Sequence, residues 1–181
     1  MEKAEINITR ATPEDADLIS QLSTITFEDT FKGTCTDEDM QSFVEDCFSP
    51  AATLDELKDE DDLYFIAWYN NQAAGYIRLK ENYDDYAAIK KYKALELKRI
   101  YVLKEYHSKK IGAALMAYAL QLAEEKKYEV MWLGVWEHNY KAQSFYKKWG
   151  FTDTGDSHPF PIGNTPQTDK WMIKPLSPKG E

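Results

Sequence analysis

The stretch "LELKRIYVLKEYHSKKIGAALMAYALQL", residues 95–122, joins a β-rich run directly to an apolar helical pattern. Ile111, Leu115, Tyr118 and Leu122 recur at helical spacing, which predicts a helix with one buried face. The first turn of such a helix has backbone N–H groups without intrahelical partners, and the helix dipole adds about half a positive charge there. The junction is therefore a candidate phosphate site.

Side chains at the start of this helix would help to hold a phosphate. Ser108 supplies a hydroxyl group, Lys109 and Lys110 supply ammonium groups, and Gly112 lacks a Cβ, so that the backbone can approach a ligand closely. On these features alone an ordinary strand-to-helix junction is the simpler interpretation, because every such junction exposes free N–H groups. Neither a Walker sequence nor a G-x-G-x-x-G pattern occurs among the eight glycines.

The segments on either side alternate between strand and helix patterns. Residues 70–72 separate two β-rich runs and predict a hairpin. Thr12 precedes a helical pattern as an N-cap, and Leu18, Leu22 and Ile25 are expected to form the buried stripe of that helix.

A second helix and a central strand complete the pattern. Thr36 is expected to cap a helix over the following residues, and the run 128–136 is nearly continuous in apolar residues, which indicates a strand buried on both faces. The predicted order is β, two or three helices, β, β, β, α, β, α, β, β. It implies an α/β fold whose mixed sheet contains a parallel pair.

The composition bounds the class of protein. The 181 residues, 43% of them hydrophobic, fit a single domain over residues 1–181. With 22 basic against 31 acidic residues the net charge is −9, which argues against a nucleic-acid partner and suggests a cationic one, unless the acidity serves only solubility. No signal peptide or membrane span is predicted, so we expect a cytoplasmic protein with reduced thiols. No metal-ligand spacing occurs, and no metal is expected.

The segment "LGVWEHNYKAQSFYKKWGF", residues 133–151, carries the most specific pattern. It contains N-x-x-A-x-x-F-Y-x-x-x-G-F, downstream of a hydrophobic strand and a helix-opening turn. In this order and spacing the chain resembles the GNAT superfamily of acyl-CoA-dependent N-acetyltransferases, over roughly residues 62–175. The stretches "TFEDTFKG", "WLGVWEHN" and "QTDKWM" are similar, more narrowly, to bacterial polyamine (spermidine/spermine) acetyltransferases of the Pai type. The positions that match the block are Asn139, Ala142, Phe145, Tyr146, Gly150 and Phe151.

The resemblance implies a fold and a cofactor. The sheet should have about seven strands, largely antiparallel, with a splayed central parallel pair and helices on both faces. Acetyl-CoA should lie with its diphosphate on the helix-opening turn and its pantetheine arm between the splayed strands, where a strand N–H polarises the thioester oxygen. The positions that match the cofactor-binding pattern are Ile100, Tyr101, Val102, His107, Ser108, Lys109, Lys110, Ile111, Gly112, Ala113 and Asn139.

The helix-opening turn departs from the family pattern [QR]-x-x-G-x-[GA]. His107 stands at the Gln or Arg position and Lys110 at the first Gly position, so that only Gly112 keeps its place. A lysine there brings a Cβ near the expected diphosphate, so either the backbone is ordinarily helical or the loop has shifted. Main-chain N–H groups can still bind phosphate, and Lys110 adds a cation.

Acetyl transfer to an amine requires proton transfers in both directions. An alkylamine has a pKa of about 10.4, so a base must accept its proton. Glu96 is the candidate base, through a water molecule; the alternative is a solvated strand residue or a partner of Lys98. The family pattern assigns Tyr146 as the acid for the departing thiolate, whereas without the pattern it would be a core tyrosine with its hydroxyl at the rim. Asn139 is expected to cap the last helix and, in the family pattern, also to lie against the cofactor arm.

The acceptor pocket is expected between the first two helices and the loops that face the junction. Aromatic rings beside carboxylates suit a flexible polycation such as spermidine or spermine. A protein N-terminus, a lysine side chain or an aminoglycoside are alternative acceptors, and a sensor that binds acyl-CoA without turnover is an alternative of another class. The strand at 170–176 could pair as an edge in a homodimer. The candidate acceptor residues are Phe27, Glu28, Phe31, Trp136 and Glu137, with Asp29, His158 and the loop 81–86 beside them.

Overall fold

One sheet of seven strands forms the centre of the computed structural model, which describes residues 5–81 and 86–176. The strands are β1 (Ile6–Arg10), β2 (Asp62–Tyr69), β3 (Gln72–Lys80), β4 (Ala94–Val102), β5 (Val130–Trp136), β6 (Thr152–Pro159) and β7 (Thr168–Pro175). The helices are α1 (Ala16–Phe31), α2 (Asp37–Phe48), α3 (Pro50–Lys58), α4 (Ile111–Glu125) and α5 (Tyr140–Lys148).

The strand order is β1-β2-β3-β4-β5-β7-β6. Among the strand pairs in the described part of the chain, β4 and β5 are parallel and the others are antiparallel. This confirms the expected mixed sheet. The expectation that β7 is an edge strand is wrong, because β7 pairs with β5 on one side and with β6 on the other. The sheet edges are β1 and β6, so the proposed route to a homodimer through β7 is lost.

Local signals in the sequence set the ends of several elements. Asn70 and Asn71 both have positive φ, 48° and 63°, which is the turn chemistry of a two-residue hairpin between β2 and β3. The side chain of Thr36 accepts a hydrogen bond from Asp39 N at 3.1 Å and caps α2 as predicted. Thr12 instead leads into a short 3-10 turn, Pro13–Asp15, and α1 begins after it.

Helices cover both faces of the sheet. On β2, Leu63 and Phe65 belong to the core that includes α4, whereas Tyr64 and Ile66 pack on the other face with α1. The expected stripe of α1 is partly wrong. Ile25 is 47% exposed, because Ile19 and Leu22, not Ile25, direct the helix onto the sheet.

The parallel pair separates soon after it begins. Its recorded partners are Ala94 with Val130, Leu95 with Met131 and Glu96 with Trp132. Beyond Glu96, β4 continues to Val102 and β5 continues to Trp136. Over this described length the two strands do not pair with each other. The expected splayed pair is therefore present, and a gap opens between the two strand ends.

A bulge in β4 accompanies this separation. Leu97 pairs with Leu79 and Arg99 with Arg78 on β3, so that Lys98 is the extra residue. The bulge shifts the alternation of side chains along the strand.

Replacement of Gly75, on β3, tests how closely β3 and β4 must approach. A Cβ there would lie 2.5 Å from Tyr101 O and 3.1 Å from Val102 Cα, which are main-chain atoms that cannot rotate away. We expect Gly75→Ala to lower the free energy of unfolding by about 1–3 kcal/mol in urea denaturation, as overpacking does. Gly112→Ala is the control, because its Cβ would meet Phe145 only at 3.8 Å. Equal stability of the two variants would contradict the close approach.

Candidate active site

A cleft of about 670 Å³ lies where β4 and β5 separate, beside the start of α4 and the outer face of α5. This volume is in the range of about 300–1,000 Å³ that is usual for small-molecule sites. Of the predicted cofactor residues, those that line the cleft are Ile100, Tyr101, Val102, His107, Lys110, Gly112, Ala113 and Asn139.

Three of the predicted cofactor residues do not line the cleft. Ser108 and Lys109 are exposed in the 3-10 turn Lys104–Lys109, and Lys109 Nζ lies 5.8 Å from the ring centre of Tyr69. Ile111 is buried in the core at 1% exposure. Its side chain therefore faces away from any ligand, and only its backbone is available at the helix start.

Main-chain groups of β4 point into the gap. Leu103 N donates to Ala74 O on β3 at 2.9 Å, and hydrogen bonds alternate along an antiparallel strand, so Tyr101 also directs its main chain to β3. Ile100 and Val102 consequently direct theirs to the opposite side, into the gap. His107 Nε2 lies 2.8 Å from Val102 O and donates to it, which fixes the start of the following turn.

Lys110 adopts a backbone conformation that favours glycine. Its φ is 61° and its ψ is 20°, and it immediately precedes α4. The backbone there is therefore not ordinarily helical, contrary to the first of the two alternatives from the sequence. A lysine takes the left-handed conformation that the family pattern leaves to glycine. Gly112 lies two residues after Lys110. A Cβ at this position would be 3.8 Å or more from its nearest atoms, so the space beside the helix start is open.

Tyr146 lies at the inner end of the cleft. Asn139 Oδ1 accepts a hydrogen bond from Ala142 N at 3.1 Å and caps α5 as predicted, which sets the rotation of that helix. Tyr146 is 8% exposed, and burial together with the charge of Asp169 raises the pKa of its phenol. The hydroxyl group is therefore protonated at neutral pH and available as a donor.

A smaller cavity of about 170 Å³ continues from the cleft past Tyr146. The walls that the two spaces share include Ile100, Tyr101, Trp136 and Tyr146. Its other walls come from β4 to β7 and, on one side, from aromatic side chains of α1, α2, β7 and the segment after β6. They include Phe27, Phe31, Phe43, Phe48, Phe160 and Trp171.

The structure brings some of the predicted acceptor residues together and leaves others outside. Phe27, Phe31, Trp136 and His158 line the small cavity, but Glu28 is exposed on α1 and lines neither space. Asp29 reaches the cleft, where its carboxylate pairs with Lys104 at 2.8 Å.

Glu137, another predicted acceptor residue, lies apart from both spaces. Glu137 Oε1 lies 3.6 Å from His138 Nε2, and Glu137 lines neither space. Of the predicted acidic loop, residues 82–85 lie outside the described residues.

Glu96 is buried in the small cavity. It is 3% exposed, and its Oε1 lies 3.7 Å from Lys98 Nζ. The alternative of a solvated strand residue is therefore wrong, whereas the pairing with Lys98 is present. Because of the bulge at Lys98, Glu96 faces the same side as Tyr101, and Ile100 packs on the other side with the core around α4.

The sequence analysis missed Asp169, which also lines the small cavity. It is 9% exposed on β7, and its Oδ2 lies 3.7 Å from His158 Nε2. Burial raises the pKa of its carboxyl to about 7, and the charge of Lys98 opposes that rise. The spacing of two between Asp169 and the buried Trp171 was a signal that both side chains face inward, if the strand had been placed inside the sheet.

Arg99 also lines the small cavity, and its positive charge is paired with the carboxylate of Glu56. Its Nη1 lies 3.3 Å from Glu56 Oε2 and 3.0 Å from Tyr64 Oη. Its guanidinium group lies over the ring of Phe48, 4.8 Å from the ring centre. Arg99 therefore braces α3 and α2 against the sheet.

Over 5–81 and 86–176, no group of three or more His, Cys, Asp or Glu side chains is placed to hold a metal ion. No helix within these ranges has the length and apolar character needed to cross a membrane.

The family follows from this geometry together with a direct comparison. The family model described as "Acetyltransferase (GNAT) family" matches residues 25–151, which include β4, α4, β5 and α5. The chain belongs to this family. The expectation of an acyl-CoA-dependent N-acetyltransferase is confirmed at that level.

Similar proteins cover nearly the whole chain. An uncharacterized N-acetyltransferase of Lactobacillus delbrueckii subsp. lactis is 29% identical over 94% of this chain and 98% of its own length. A spermidine N(1)-acetyltransferase of Thermoplasma acidophilum is 29% identical over 81% of this chain and 88% of its own. The crystal structure of the PaiA N-acetyltransferase of Thermoplasma acidophilum in complex with coenzyme A superposes with a TM-score of 0.75 at 24% identity. It covers 94% of this chain and 99% of that one.

Replacement of Asp169 should change the pH dependence of stability. The folded protein raises the pKa of this carboxyl from 3.8 to about 7, so it binds the proton more tightly than the unfolded chain does. Stability is therefore lost as the pH rises from about 4 to about 7. We expect Asp169→Asn to be more stable than the wild type by on the order of 2–4 kcal/mol at about pH 8, with the difference vanishing near pH 4.

Urea denaturation at the two pH values measures this difference. Asp153→Asn on β6 is the control. Hydrogen bonding from Gly155 N lowers the pKa of the exposed Asp153, so removal of this carboxylate should change the stability in the opposite direction. A variant at 169 that is less stable than the wild type at both pH values would contradict a destabilising effect of the buried carboxylate.

Proposed function

We propose that this protein transfers the acetyl group of acetyl-CoA to a small-molecule primary amine, most suitably a polyamine such as spermidine or spermine, by direct attack in a ternary complex. The observation that carries the proposal is the position of Tyr146, which lines both a cofactor-sized cleft and a cavity bounded by aromatic rings and carboxylates. A thioester in the cleft and an amine in the cavity would meet at this residue.

The cleft offers the groups that a CoA diphosphate and its arm need. The free N–H groups at the start of α4, from Ile111 onward, suit the diphosphate, and Lys110 adds a positive charge beside them. The main-chain groups of Ile100 and the N–H of Val102 suit the arm, and one N–H there would polarise the thioester oxygen. The structural relative PaiA, which was crystallised with coenzyme A, supports this assignment.

Tyr146 is the proposed acid for the departing thiolate. The raised pKa of its phenol makes complete proton transfer to a thiolate, of pKa about 8.5, unfavourable by itself. The hydroxyl group therefore acts as a donor that stabilises the developing negative charge, and it releases its proton as a proton from the attacking amine replaces it. Glu96 faces the same space and attracts the ammonium group of the acceptor.

The small cavity favours a slender cationic acceptor. Its aromatic walls suit an alkylammonium chain through cation–π contacts, and Glu96 and Asp169 supply negative charge. The relative named as a spermidine N(1)-acetyltransferase supports a polyamine. Phe43 and Phe160 stand across the far side of the cavity, which disfavours the alternatives of a folded protein segment and of a broad aminoglycoside.

A panel of amines with acetyl-CoA, scored by thiol release, tests the proposed function. We expect turnover with spermidine or spermine and thermal stabilisation by acetyl-CoA and CoA but not by ATP. Stabilisation without release of thiol from any amine would favour the acyl-CoA sensor.

Tyr146→Phe separates catalysis from binding. Loss of the donor should lower kcat by about 10²-fold or more, the usual contribution of a positioned acid, while the KM for acetyl-CoA changes little. Tyr92→Phe, at a tyrosine that is 37% exposed and lines neither space, is the matched control. Unchanged acetylation by the Tyr146 variant would show that the phenol is not the acid.

Two variants at Lys110 distinguish its backbone from its charge. Lys110→Gly keeps the left-handed backbone and removes the ammonium group. We expect the Kd for acetyl-CoA to rise, by less than about tenfold, and this rise to become smaller in high salt. Lys110→Val removes the same charge but resists positive φ, so the loss should be larger. Calorimetric titration with acetyl-CoA measures both. Equal losses would mean that the ammonium group, not the main chain, holds the diphosphate.

A further inference from the structure

We propose that Asp169, with His158 beside it, accepts the proton that the acceptor ammonium group must lose before attack, and that Glu96 does not have this task. The inference rests on the proposed acetyl transfer to an amine. It assigns a role to a carboxylate on β7, within the stretch "QTDKWM", for which the sequence analysis proposed no function.

The hydrogen bonding of His158 shows where a proton can be held. Its Nδ1 lies 3.0 Å from Pro159 O, and because a carbonyl oxygen only accepts, Nδ1 carries a hydrogen. In the neutral ring Nε2 is then unprotonated, and it faces Asp169 Oδ2 at 3.7 Å. A single proton on either group is stabilised by the other.

The surroundings hold the two groups in this arrangement. The ring of His158 stacks on Trp171 with 3.9 Å between ring centres and 19° between planes. Gly134 on β5 leaves the space that the pair occupies. A Cβ there would lie 3.1 Å from His158 Nε2 and 3.3 Å from Asp169 Oδ2. The pair is therefore built into the sheet and does not depend on a mobile loop.

Asp169 lies beside the imidazole ring of His158, whereas Glu96 lies beside the ammonium group of Lys98. Asp169 Oδ1 is buried and has no hydrogen-bond partner within the described ranges of the chain. Glu96 Oε1 lies 3.7 Å from Lys98 Nζ, so its negative charge already takes part in an ion pair. Asp169 also lies close enough to Tyr146 to raise the pKa of that phenol. The proton acceptor and the proposed acid therefore line one cavity.

The titratable groups around Asp169 come from several elements. Three of them, Glu96, Lys98 and Tyr101, lie on β4. Tyr146 lies on α5, and His158 lies on β6. The two phenols are neutral because burial raises their pKa, and Lys98 opposes the rise in the pKa of Asp169 to about 7. A base with this pKa suits proton transfer at neutral pH.

The proton balance of the reaction is complete. The ammonium group gives one proton to the carboxylate of Asp169 and becomes a neutral amine. Its nitrogen then bonds to the thioester carbonyl carbon, and the C–S bond breaks as the sulfur takes a proton from the Tyr146 hydroxyl. The second proton leaving the nitrogen restores that hydroxyl, and the proton on Asp169 passes to solvent when the acetylated amine departs.

The test compares Asp169→Asn with Glu96→Gln, both of which remove a charge and keep the shape. For the wild type, kcat/KM with spermidine should rise with pH to a plateau, with an inflection near 7. In Asp169→Asn the rate should fall by about 10²-fold or more and the inflection should disappear, while acetyl-CoA still binds. In Glu96→Gln the KM for the amine should rise and the inflection should remain.

His158→Gln is a second variant, which keeps the carboxylate and removes the ring. We expect its inflection to move and its rate to fall less than in Asp169→Asn. An Asp169→Asn enzyme with a rate within threefold of the wild type and the same inflection overturns the inference, as does loss of the inflection in Glu96→Gln alone. A wild-type protein that acetylates no amine in the panel overturns the proposed function as well, so the two failures are distinguishable.

Discussion

The separation of β4 and β5 is the constraint on which the rest of the site depends. The two strands pair through Ala94, Leu95 and Glu96, and then they diverge. A parallel pair that stayed joined would saturate its main-chain hydrogen bonds and leave no room for a ligand arm. The divergence leaves the main-chain groups of Ile100 and Val102 without strand partners on one side. Main-chain groups that do not pair with a neighbouring strand are therefore available to bind a ligand in the gap.

Several features hold this gap open. Gly75 lets β3 approach the end of β4 closely, His107 takes up the carbonyl oxygen of Val102, and the bulge at Lys98 changes the direction of the strand just where pairing with β5 ends. The same bulge places Glu96 and Tyr101 on one face. The geometry of the cleft and the chemistry of the cavity therefore share one cause.

The aromatic cavity depends on a second set of contacts, which fix α2 to the segment between β6 and β7. Asp39 accepts hydrogen bonds from Asn164 N at 2.9 Å and from Thr165 Oγ1 at 2.7 Å. These bonds hold Phe43 against Phe160, with 5.8 Å between ring centres. One wall of the small cavity is thus built from parts that are distant in sequence. This wall, more than the family motif, is where acceptor specificity would reside.

The sequence by itself determined the elements and most of the cofactor cleft, because their signals are local. The hairpin at residues 70–72, the caps at Thr36 and Asn139, and the block that contains Tyr146 each depend on neighbours within a few residues. Only the tertiary structure decided which side chains meet in the acceptor cavity. Asp169 joins it because β7 lies inside the sheet, and Glu28 misses it because α1 turns another face inward. Burial and electrostatic environment arise from contacts between distant segments, and periodicity along one segment does not encode them.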